Sequence, residues 1–172
     1  MTKKEFNDWY VSVLTDLYVK QAGFPILLIS FPILERYLRQ VSGVGESRLN
    51  DQFYVTLKDM FGSLINRNIA KQFWHIYRNG LLHQVTFSQR NQRDEELTPA
   101  CITFDQEQPI QYKNKIFSVN PISFSERVIQ CVSSDYEEMT GENSPNHPGP
   151  YIFTDRGANM TGTACDTSWM NK

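Results

Sequence analysis

Cysteine is scarce and poorly placed for bonding. The 172-residue chain has three, Cys101, Cys131 and Cys165, an odd number with no close spacing. That excludes a disulfide framework and a zinc-ligand pattern, and Cys101 and Cys131 read as ordinary buried cysteines. Long apolar runs are also missing. The longest, "AGFPILLISFPIL", is too short to span a bilayer and is broken by two prolines. The opening "MTKKEFNDWY" turns amphipathic at once and carries no signal-peptide core. The expectation is a soluble protein of a reducing compartment, cytoplasmic and not membrane-bound. The three histidines are poorly spaced for a metal, and no cofactor is expected.

One window lacks acids altogether. Residues 60–93 hold Arg67, Lys71, Arg78, Arg90 and Arg93 and no Asp or Glu. Residues 1–59 balance seven basic against seven acidic residues, and residues 94–172 hold five basic and twelve acidic ones. A basic block inside a chain of net charge -2 points to a local anion site, or to chance in a short window.

What is present is enough apolar surface for a core. The apolar fraction is 40%, with 11 Phe, 8 Tyr and 3 Trp, and the length fits one domain with or without an appendage. Thr2 and Glu5 form a capping box for a first helix, whose face is Phe6, Trp9, Val13, Leu14 and Leu17. Gly23 is expected to stop it near Lys20. A second helix starts around Pro25 and runs to Val41, with a kink expected at Pro32. Its first half is apolar all round, which places it centrally. Asn50 or Asp51 caps a third helix with Phe53, Leu57, Met60, Phe61, Leu64 and Ile65 inward. Asn68 caps a fourth, burying Ala70, Phe73, Trp74, Tyr77, Leu81 and Leu82, and Gly80 weakens its end.

After the polar "SQRNQRDEELTP", the short stretches "ACITFD" and "IQYKNKIF" read as a small hairpin or meander. Asn120 and Pro121 open a fifth helix, "PISFSERVIQCVSSDYEEM", with Phe124, Val128, Ile129 and Val132 inward. The fold class is therefore mainly α: a four- to five-helix bundle with a small β-hairpin, at about residues 98–118, inserted before the last helix. Residues 1–140 form the helical domain and 141–172 an irregular tail, where Gly, Pro, Asn, Ser and Thr dominate.

Chemistry concentrates in "FWHIYRNGLLHQ", residues 73–84. Arg78 and His83 are five positions apart, so on an α-helix they point about 140° apart and flank a face. Two copies meeting on a twofold axis could line one cleft with two of each. A histidine can take the proton of a ribose 2′-hydroxyl or protonate a leaving 5′-oxygen. An arginine fork can hold the phosphate, and Asn79 can orient phosphate or imidazole. Against this stands a plain alternative: two solvated cations near a helix C-terminus, favoured by its dipole. His75 reads as a structural histidine or as a second group on that cleft. Phe73, Trp74 and Tyr77 read as core or as a base-stacking cluster. Glu35, with Arg36 and Arg39, reads as a charged helix face or as a group that reaches the motif.

The order Arg78-Asn79-x3-His83 in "YRNGLLHQ", with "ILERYLRQ" on the preceding long helix, resembles the HEPN family over about residues 2–140. That family's hallmark is an arginine, a polar residue and then a histidine, and its central helix often carries an acid near the position of Glu35. The resemblance implies a helical bundle that forms a homodimer through the motif helix. It implies a metal-independent endoribonuclease leaving 2′,3′-cyclic phosphate ends, of a kind found as toxins or phage-defence effectors, some with a nucleotidyltransferase antitoxin. Other members are non-catalytic RNA-binding or protein-interaction modules. On this resemblance Arg78, Asn79 and His83 are the catalytic set, with Glu35, His75 and Tyr77 as supporting candidates and RNA as the partner. The strand pair and the tail depart from the family pattern.

Overall fold

The computed structural model describes residues 3–44, 48–84 and 99–135, with the backbone alone at 82–84. The Thr2 cap, most of the polar "SQRNQRDEELTP" segment, residues 136–139 expected at the end of the fifth helix, and the tail lie outside those residues. Five helices and a small sheet make up the rest. Helix α1 covers residues 3–19 as Lys3–Phe6, a wide π-helical stretch Asn7–Val11, and Ser12–Val19. Helix α2 is Gly23–Val41, and α3 is Asp51–Phe61. Helix α4 covers residues 67–84, regular over Arg67–Trp74 and π-helical over His75–Gln84. Strands β1 (Ala100–Ile102), β2 (Ile110–Lys113) and β3 (Ile116–Val119) precede α5, Pro121–Ser134.

Helix α2 is the axis of the bundle. Ile26, Leu27, Phe31, Leu34 and Leu38 are wholly buried, and the helix runs unbroken through Pro32. The Phe31 ring centre lies 4.8 Å from Phe124 on α5. On α4 it lies 6.0 Å from Phe73, 5.9 Å from Trp74 and 6.4 Å from Tyr77. Aromatic rings at such spacings add to the stabilisation from area burial alone.

The caps follow local chemistry. Asn50 accepts from the Phe53 N–H at 3.1 Å to start α3, and Asn120 accepts from Ile122 and Ser123 at 3.0 and 3.3 Å to start α5. The cap of α4 is Asn66, not Asn68, since Asn66 is extended and accepts from Ile69 N–H at 3.1 Å. Gly23 does not stop α1. Gln21, at φ 49°, takes the left-handed turn instead, and Gly23 opens α2. Its lack of a side chain matters for packing, because a Cβ there would stand 3.1 Å from Phe104 Cζ and Pro121 Cγ.

Several faces differ from the periodic expectation. Trp9 and Val13 are 45% and 42% exposed, while Tyr10 and Val11 lean on the core. The wide turn at Asn7–Val11 closes five residues apart rather than four, which shifts the inward register. Ile65 is 71% exposed, because α3 ends at Gly62 (φ +62°) and the chain then buries Leu64 instead. Cys101 is exposed and Cys131 half-buried, so the ordinary buried cysteines are not found. Ile129 is only partly buried against the core.

The expected hairpin is β2–β3, joined through Asn114 and Lys115 at φ 52° and 60°, the positive values a tight two-residue turn requires. The sheet is larger than a hairpin and is not a meander. Strand β1 runs parallel to β3, in the order β1-β3-β2. Asn120 donates to the Gln106 carbonyl at 2.6 Å, and Ser118 donates to the Gln106 side chain at 2.5 Å. These bonds hold the connection across the end of β3 and send β2 to its far side. The sheet leans on α4, where Phe73 meets Phe117 with ring centres 5.8 Å apart.

Phe31 is the shared neighbour of α4 and α5, so Phe31→Ala should lower unfolding free energy by about 3–5 kcal/mol. Urea denaturation of the two proteins measures this, and a loss under about 1 kcal/mol would show that the cluster is not the anchor.

Candidate functional site

Helix α4 has two faces. Ala70, Phe73, Trp74, Tyr77 and Leu81 are buried, with Trp74 meeting Phe53 on α3 at a ring-centre distance of 4.8 Å. Asn68, Lys71, Gln72, His75, Arg78 and Asn79, three or four residues apart, line a surface cleft of about 500 Å³. Leu49, Tyr54 and an edge of Trp74 form its apolar wall.

Glu35 governs the inner end. Its Oε2 accepts from Arg78 Nε at 2.7 Å, and Arg78 Nη2 also lies 2.7 Å from it. Its Oε1 accepts from Arg39 Nε at 3.0 Å and Nη2 at 2.9 Å. The Glu35 side chain is 13% exposed and that of Arg78 22% exposed, so the pair is partly shielded from water. Glu35 thus lies between two guanidinium groups and fixes the plane of Arg78.

The fixed guanidinium settles its neighbours. Arg78 Nη1 donates to Asn79 Oδ1 at 3.2 Å. Asn79 therefore turns its amide nitrogen toward His75, with Nδ2 to Nδ1 at 3.0 Å. An amide NH₂ has only protons to offer, so His75 Nδ1 must accept. The neutral imidazole then carries its proton on Nε2 as a donor. One relay, Glu35–Arg78–Asn79–His75, thereby sets the His75 tautomer.

His83 belongs to the wide stretch His75–Gln84, and its side chain lies outside the described atoms. The backbone changes the geometry expected for it. In a helix closed by bonds five residues apart, positions 78 and 83 are about one turn apart, not 140° apart. Wide turns of this kind occur often at functional sites.

Tyr77 is not in the cleft. Its hydroxyl donates to the Cys101 carbonyl at 2.8 Å, tying the sheet to α4, and burial pushes its phenol well above the usual range. The acid-free block is not acid-free in space, since Arg67 pairs with Asp51 and Arg78 with Glu35. Lys71 sits over the Tyr54 ring, 5.9 Å from its centre. Burial also raises the Tyr54 phenol, opposed by the charge of Arg48. Among the described residues no three His, Cys, Asp or Glu side chains gather as metal ligands, and no helix is long and apolar enough to cross a membrane.

Reading the sequence for a motif missed Leu49, Tyr54, Asn68, Lys71 and Gln72. The signal for the last three was the three-and-four spacing of polar residues along α4. Leu49 and Tyr54 come from another segment and carried no such signal.

No family model matches the chain, and no curated protein or solved structure matches it either.

A double-mutant cycle on Glu35→Gln and Arg78→Met should give a coupling of about 1–3 kcal/mol, between the values for exposed and for buried pairs. Chemical denaturation of the four proteins gives the number. A coupling under about 0.3 kcal/mol would mean that the carboxylate does not hold the guanidinium.

Proposed function

We propose that the protein is a metal-independent endoribonuclease of the HEPN type. The observation that carries this reading is the helical geometry at Arg78. A guanidinium with a fixed plane stands at one end of a cleft, and position 83 follows about one wide turn later. The order Arg78-Asn79-x3-His83 supports it from the sequence side.

In this reading His83 accepts the proton of the ribose 2′-hydroxyl. The 2′-oxygen attacks the adjacent phosphorus, and the bond from phosphorus to the 5′-oxygen breaks. The leaving oxygen takes a proton, giving a 2′,3′-cyclic phosphate and a free 5′-hydroxyl. Arg78 neutralises charge that builds on the non-bridging oxygens. Asn79 positions Arg78 and His75. A homodimer through the α4 motif would supply a second histidine, so that one acts as base and the other as acid. The roles of toxin or phage-defence effector, and a nucleotidyltransferase antitoxin as partner, rest on the family resemblance.

A second reading has its own observation. Arg78 already pairs with a carboxylate that it shares with Arg39, so its charge is partly compensated. A non-catalytic RNA-binding or protein-interaction module would need no more of it than this structural role.

The decisive assay is RNA cleavage in EDTA with wild type, His83→Ala and Arg78→Ala, analysing the product 3′ ends. Wild type should leave cyclic phosphates, and His83→Ala should be slower by about 10²–10⁴-fold while remaining folded by circular dichroism. Undiminished cleavage by folded His83→Ala ends the ribonuclease mechanism. Binding of RNA by wild type without cleavage selects the second reading.

A further inference from the structure

The cleft extends well beyond Arg78. Asn68, Lys71, Gln72 and His75 continue its floor along α4 for roughly 15 Å in all, at 1.5 Å per residue. None of these four is needed for the transesterification itself. They are a mixed set of one fixed cation, two side-chain amides and one imidazole donor. Tyr54 and Leu49 face them across the opening. Tyr54 is half-buried, with Lys71 over its ring and the charge of exposed Arg48 acting on its phenol. Among the described residues no ion pair engages Lys71.

We infer that this groove holds one unpaired nucleotide of a single-stranded RNA, next to the phosphate that Arg78 contacts. The inference deepens the proposed function and rests on it for the choice of RNA.

Three observations carry it. The first is size: about 500 Å³ lies in the range of small-molecule pockets and admits one nucleotide, not a duplex. The second is charge. Lys71 lines the groove over the Tyr54 ring, so a phosphate at the rim meets a positive charge there. The third is the pairing of an aromatic wall with amides. Unpaired bases are recognised by stacking on aromatic rings and by hydrogen bonds to their edges. Asn68 and Gln72 lie four apart on α4, and their side-chain amides line the groove where a base edge would lie. His75, with Nδ1 turned to the Asn79 amide, offers Nε2–H to a phosphate oxygen or a ribose hydroxyl. Lys71 is thus a binding residue, and Asn68 and Gln72 set base preference.

The test uses full-length protein carrying His83→Ala and fluorescein-labelled single-stranded oligonucleotides with 2′-O-methyl riboses, which resist cleavage. Anisotropy is read across a salt series, with a duplex of the same sequence beside each strand. The single strand should bind at least about tenfold tighter than the duplex. Lys71→Met should reduce the slope of log affinity against log salt by about one, as for a lost phosphate contact. Lys71 is exposed, so this variant should stay folded. Tyr54→Leu should weaken every strand about tenfold through lost stacking. Asn68→Ala with Gln72→Ala should narrow the affinity differences between homopolymers of the four bases.

Equal binding of strand and duplex would overturn the inference. So would an unchanged salt slope in Lys71→Met, or no binding at all. The two proposals fail separately. Strand binding with the expected slope, by a wild type that cuts no RNA in EDTA, keeps the groove and removes the nuclease. Cleavage by wild type with the same KM in Lys71→Met keeps the nuclease and removes the groove.

Discussion

Phe31 and Glu35 lie one turn apart on the same side of α2, and the site depends on that coincidence. Phe31 meets the inner side of α4 at Phe73, Trp74 and Tyr77. Four residues on, Glu35 meets Arg78 where α4 begins to emerge toward water. The apolar contact fixes the distance between the helices, and the carboxylate works at a distance already set. Magnitudes agree with that order. Burial of a large aromatic is worth several kcal/mol, whereas a partly exposed ion pair yields about 1 kcal/mol or a little more. The ion pair is thus poorly suited to holding the bundle together and well suited to aiming a guanidinium.

The neighbouring positive charge sharpens the same point. Glu35 carries one negative charge and faces two arginines, so the cluster is net positive while both carboxylate oxygens are engaged. An anionic group arriving at Arg78 meets a guanidinium with its plane set in advance and some positive charge left over from the trio. Pre-set donors give up little conformational entropy on binding. Arg39 reaches Glu35 because a spacing of four brings its side chain back over Glu35 on the same helix face.

Much of the fold was readable from residue periodicity, and the misses have physical causes. Helices α2 and α5 declared themselves through all-round apolarity and through an Asn-Pro start. The π-helical stretches did not, because a 3.6-residue template assumes regular hydrogen bonding. That assumption turned Trp9 and Val13 inward, where the structure leaves them exposed, and took the angle between positions 78 and 83 from a regular helix. Asn66 and Asn68 are both good caps by composition, and only the backbone angle at Asn66 decides between them. The parallel strand β1 was out of reach because pairing between distant strands leaves no local pattern. At the site, the sequence picked out Arg78, Asn79, Glu35 and His75, all of which the structure brings into one network. It also picked out Tyr77, which the structure turns toward the sheet. Position 77 follows the apolar rhythm of Phe73 and Trp74, and that rhythm was the better guide to where its ring would go.

The wide turns of α4 give the last link between fold and chemistry. A regular helix continuing from Trp74 would set position 83 four residues on from Asn79, on the same ridge, and about 140° from Arg78. Widening the turns at His75–Gln84 delays that rotation. The rotation from position 78 to position 83 is therefore closer to a single turn, and Gly80 and Leu81 between them are buried. The stretch exchanges some regular hydrogen bonding for that change of spacing. A helix needed merely to bury Phe73, Tyr77 and Leu81 would gain nothing from it.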